Sequence, residues 1–115
     1  MRSNIALTVA LVGSLGALSA RADETPINIQ TDVKGQYFLV EKGGTAANPI
    51  LLVKRSNPDY TSYVKRELDC TAHTVRVLGR GRSLEALEAE EPEHTASPIK
   101  PGSIADQLAK IACPR

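Results

Sequence analysis

The sequence predicts an α+β fold: a small antiparallel β-sheet packed against a C-terminal α-helix and held by one disulfide. Three observations predict it. Between residues 36 and 78, short runs rich in β-branched and aromatic residues alternate with turn clusters built from Gly, Pro and Asn. Residues 103–113 carry a capped helix pattern with an apolar stripe. The 115-residue chain also has two cysteines, Cys70 and Cys113, so only one pairing is possible within it.

Met1-Arg2-Ser3-Asn4 is a short basic start, and Ile5 to Leu18 is an apolar run without a charge that ends in small residues. This is a secretory signal pattern. The run is shorter than the roughly 20 residues of an ordinary membrane-spanning helix. Ala20-Arg21-Ala22 supplies an A-x-A cleavage site, so residues 1–22 read as a signal peptide and the mature chain begins at Asp23, with a cut after Ala20 as the alternative. A lipoprotein needs a cysteine directly after the cut, and none precedes Cys70, so no lipid anchor is expected. Loss of Arg2 and Arg21 leaves 12 Lys+Arg against 13 Asp+Glu over residues 23–115, a net charge of −1. Such a balance steers the chain to neither nucleic acid nor acidic lipid. No transmembrane segment is expected in the mature chain.

Residues 23–34 are polar, contain Pro26, and read as a loose N-terminal segment in which only Ile27 to Ile29 could pair. The single domain is expected over residues 35–115. Gln36 to Glu41 reads as a strand closed by Lys42-Gly43-Gly44, and Ile50 to Arg55 as a second strand stopped by Ser56-Asn57-Pro58-Asp59. Tyr60 to Cys70 follows a period of two, with Val64, Leu68 and Cys70 inward and Lys65, Glu67 and Asp69 outward; Arg66 is the misfit on the inner side. Thr74 to Leu78 makes a fourth strand with Val75 and Val77 inward and Arg76 outward, and Gly79-Arg80-Gly81-Arg82 is expected to break it. Strands this closely connected should be antiparallel neighbours. Ser83 to Glu91 reads as a short helix or ordered loop, and residues 96–99 as a crossing that returns the chain to the sheet.

Ser103 suits a helix N-cap, and Asp106 places a carboxylate near the positive helix end. Ile104, Leu108 and Ile111 form the expected stripe. Cys113 lies nine residues past Ile104, about 180° around a regular helix at about 100° per residue. The helix is therefore expected to end at about Ala112, with Cys113 swinging toward Cys70 and Pro114 enforcing the exit. An even cysteine count in an exported chain reads as a disulfide. Closing the intervening loop restricts the unfolded chain by on the order of 3 to 4 kcal/mol in the chain-entropy treatment.

No enzyme is expected, and no cofactor or metal. His73 and His94 lack ligand spacing, and Ser83, Ser97 and Ser103 lack a nucleophile-elbow context. Lys65, Arg66, Arg76, Arg80 and Arg82 are the one local charge concentration. Of these, Lys65, Arg76, Arg80 and Arg82 are the candidate partner or anion-binding residues, read against a solvated face neutralised by Glu67, Asp69 and the acidic run Glu85 to Glu93.

Arg66-Glu67-Leu68-Asp69-Cys70, Thr74-Val75-Arg76-Val77-Leu78-Gly79, Pro98-Ile99-Lys100-Pro101-Gly102-Ser103-Ile104-Ala105 and Ile111-Ala112-Cys113 resemble the pattern of the bacterial surface-adhesin protein E-like family over roughly residues 60–113. The resemblance implies a small antiparallel sheet on a C-terminal helix with the two cysteines bonded. It also implies an exported module that binds host matrix or plasma proteins. This chain departs from the adhesin in lacking a lipidation cysteine and in having Ala96-Ser97 where an aromatic residue often stands. Two functions follow as expectations: an interaction module for a protein partner, secreted or periplasmic, or a soluble periplasmic protein of structural or stress-related role.

Overall fold

The computed structural model describes residues 24–114, so the expected signal segment, residues 1–22, lies outside the described residues. The elements run β1 (Thr25–Ile27), β2 (Gln36–Gly44), β3 (Pro49–Ser56), β4 (Thr61–Asp69), β5 (Thr74–Gly81), α1 (Leu84–Glu88), β6 (Ser97–Pro98) and α2 (Ile104–Ala112). The strands form one sheet in sequence order, each antiparallel to the next.

Short polar side chains close the hairpins. The Asn57 side-chain carbonyl accepts from the Asp59 and Tyr60 amides at 2.8 and 2.9 Å, which turns β3 into β4. Asp69 does the same between β4 and β5, accepting from the Thr71 and Ala72 amides at 3.1 and 2.9 Å. His73 completes that turn in the left-handed region, at φ 59°.

The register sorts side chains by face. Leu51 stands opposite Arg66 and Val53 opposite Val64, while on the next strand Val75 faces Leu68 and Val77 faces Arg66. Helix α2 covers this face, burying Ala105, Leu108, Ala109 and Ala112 against Ile29, Tyr37, Leu51, Val53, Leu68 and Ile99. Ser103 caps it as expected, accepting from the Asp106 amide at 3.1 Å, and Asp106 in turn accepts from the Gly102 amide at 2.9 Å. Regular helix ends at Ala112, and Cys113 is extended, with its Cα 5.6 Å from that of Cys70 in the disulfide.

Three expectations need correcting. The segment before β2 is not a loose lead-in: Thr25–Ile27 pairs with Tyr37–Leu39, and Ile29 is a core residue. The expected α2 stripe holds at Ile104 and Leu108, which pack on the core, but not at Ile111, which is 52% exposed; Ala105, Ala109 and Ala112 complete the buried row. Three of the four buried positions are alanines, so a search for large apolar side chains misplaces one edge of the stripe. Finally, Gly79-Arg80-Gly81 does not break β5 but continues it. Gly79 and Gly81 stand on the sheet face opposite α2, and α1 seats against them. A Cβ on Gly79 would meet the Leu87 carbonyl oxygen at 2.6 Å, and one on Gly81 would meet the Ala86 Cβ at 2.8 Å. These glycines serve close approach, and the two helices occupy opposite faces.

Candidate functional site

Of the charge cluster Lys65, Arg76, Arg80 and Arg82, the fold brings only Lys65 and Arg76 to a common face. β5 carries a bulge: Lys65 stands opposite Gly79, but Arg66 stands opposite Val77 rather than Leu78. One extra residue reverses the alternation. Arg76 therefore faces away from α2, whereas Arg80, four residues on, stands opposite Val64 on the α2 side. Arg82 follows the end of β5 and stacks on Tyr60, its guanidinium carbon 4.1 Å from the ring centre.

Arg76 is occupied. Its guanidinium donates to Glu67 at 3.0 and 3.2 Å and to the Glu93 carbonyl at 3.1 Å. Glu93 also plugs the β5 edge, accepting from the Val77 amide through its side chain at 3.0 Å and donating its own amide to the Val77 carbonyl at 2.8 Å. The opposite edge is more open. β1 covers Tyr37 to Leu39 alone, so among the described residues no strand pairs with the outer edge of β2 from Glu41 to Gly44, where Glu41 and Lys42 place charges, while β3 pairs with its inner edge.

On the α2 side the register assembles a different set: Arg55, Arg66 and Arg80, with Tyr37 and Ser62 opposite Arg55 in the adjoining strands. Arg55 has a partner, donating to Asp32 at 2.6 and 3.3 Å, and Asp32 also accepts from the Tyr37 hydroxyl at 2.7 Å. The Arg55 and Tyr37 hydrogen bonds hold the Asp32 carboxyl well below the usual carboxylate range. Burial, then the Asp32 hydrogen bond, pushes the Tyr37 hydroxyl up. Arg66 differs from Arg55. Burial pushes its guanidinium down, and the nearby Arg80 charge adds to that. Among the described residues neither Arg66 nor Arg80 forms an ion pair or donates a side-chain hydrogen bond, whereas Arg55 and Arg76 do both.

Two of the three hydroxyls considered for chemistry have structural partners: Ser83 caps α1 by accepting from the Ala86 amide at 3.1 Å, and Ser103 caps α2. Among the described residues no three His, Cys, Asp or Glu side chains converge as metal ligands. A groove of about 420 Å³ beside the disulfide is lined by His73, Asp106 and Lys110, and a larger one of about 660 Å³ lies between the β1–β2 loop and β2, with Asp32 and Tyr37 on its wall. Arg66 was legible as a cation on an inward position; the bulge that brings Arg80 beside it leaves no period-two signal.

The chain matches no known family, no curated protein and no solved structure. The residues themselves therefore carry the functional reading.

Proposed function

We propose that the chain is an exported, non-enzymatic interaction module that binds a protein partner, as its resemblance to the surface-adhesin protein E-like family implies. The observation that carries this reading is the arginine-rich sheet face beside α2, where Asp32 answers Arg55 while Arg66 and Arg80 go without a partner among the described residues. Arginine in a partly desolvated setting is the side chain best suited to anchor an acidic group of a partner. The Cys70–Cys113 bond supports export, because such bonds persist outside the reducing cytosol. Among the described residues no helix is long and apolar enough to cross a membrane.

Cell fractionation followed by a pull-down with the oxidised protein tests the proposal. Release from the cell or surface exposure, with a partner that the Arg66→Met, Arg80→Gln double variant fails to retain, is the expected result. Confinement to the periplasm with no protein retained above background would favour the structural or stress-related role.

A further inference from the structure

We propose that Arg66 and Arg80 form an oxyanion-binding site on the α2 side of the sheet, taking a phosphate, sulfate or carboxylate group that is either free in solution or carried on a partner. The site rests on the interaction-module reading only for what would carry the anion.

The geometry comes from the register. Arg66 stands opposite Leu51 and Val77, and Arg80 stands opposite Val64, so the two arginines project from one face of adjacent strands. The bulge in β5 creates this pairing: without it Arg66 would face Leu78, and Arg80 would share a face with Arg76. Strand pairing fixes the backbone positions of both arginines, so an incoming anion has only their side chains to order. Asp32, a carboxylate on this side of the sheet, is engaged by Arg55 and Tyr37. Glu67 and Glu93 are bound to Arg76 and to the β5 edge. Two like charges so placed oppose each other, and an oxyanion between them reverses the sign of that interaction. Planar guanidinium forks also match the oxygen spacing of carboxylate, phosphate and sulfate.

The competing description is that Arg66 lays its methylenes along Leu51 and Val77 and keeps its head in water, binding nothing. Titration of the oxidised, ¹⁵N-labelled protein with sodium phosphate, at ionic strength held constant with sodium chloride, separates the two. The Nε–H signals of Arg66 and Arg80 are expected to shift saturably with phosphate, and the apparent affinity to fall at least tenfold in Arg80→Gln and in Arg66→Met. Shifts that rise linearly without saturating, or that reproduce at other amides in the double variant, would overturn the site. Arg80 is exposed, so Arg80→Gln keeps the test valid if Arg66→Met fails to fold. A Glu-rich peptide supplies the second arm. Its displacement by phosphate assigns a carried carboxylate as ligand, and phosphate binding without peptide binding assigns the free ion. Phosphate binding with no partner in the pull-down would remove the interaction-module reading and leave the site standing; a partner retained without any phosphate response would remove the site alone.

Discussion

Asp32 ties the N-terminal segment to the sheet by accepting from the Tyr37 hydroxyl, the Arg55 guanidinium and, at 3.2 Å, the Lys34 amide. Because these donors hold its folded pKa below the ordinary value of 3.8, the contribution is present above that value and is lost as pH falls below it. Thermal melts of wild type and Asp32→Asn are therefore expected to differ at neutral pH and to draw together progressively as pH falls below about 4. Parallel curves across that range would remove the tie from the list of stabilising interactions. Arg66 acts in the opposite sense. A partly desolvated guanidinium with no partner among the described residues opposes folding, so Arg66→Met is expected to raise the unfolding free energy by on the order of 1 kcal/mol in urea titration. A loss of that size would instead assign Arg66 a structural role. The unusual character of Arg66 was legible in the sequence, since it breaks an otherwise regular alternation. The position of Arg80 was not, because a bulge changes the face of every residue beyond it and follows from pairing with β4 rather than from β5 alone.

At the scale of elements, packing decides what local pattern leaves open. α1 is five residues long, below the length at which a helix is stable alone, and it persists because Leu87 is buried over Gly79. Gly79→Ala forces a Cβ to within 2.6 Å of a backbone oxygen, so a loss of about 1–3 kcal/mol is expected. Gly43→Ala is the matched control: a Cβ there meets nothing within 4 Å, and the expected change is within about 0.5 kcal/mol. Equal effects at the two positions would show that close approach at Gly79 does not set the cost. In α2, Leu108 is 1% exposed and Ile111 52%, so Leu108→Ala should cost about 2–5 kcal/mol and Ile111→Ser almost nothing, as read by chemical denaturation. The helix, its Ser103 cap and its end at Ala112 were all legible from capping chemistry and from the position of Cys113. Its buried face was not, since Ala105, Ala109 and Ala112 are buried beside Leu108 while the larger Ile111 is exposed, an order that ranking residues by hydrophobicity does not give.

At the scale of the whole molecule, the meander pairs neighbours in sequence, and the connections that close the structure run between its ends. Gln107 on α2 accepts from the Gln30 amide at 2.8 Å and donates to Thr31 at 3.1 Å, and the disulfide joins residues 43 apart, between the end of β4 and the end of α2. A Cys70→Ser, Cys113→Ser double variant is expected to lose about 2–5 kcal/mol, as a small domain does on removal of a native disulfide. The pairing of these cysteines was legible because the chain offers one choice, whereas the short β1 and β6 strands were not, being too brief to show a period. Export and the covalent closure of the domain meet in one measurement, the mass of the protein recovered outside the cytoplasm and alkylated with and without prior reduction. The predicted result is a chain beginning at Asp23 that gains no alkyl group until it is reduced and two afterward; two alkylated thiols in the unreduced sample, or a chain still carrying Met1, would contradict it.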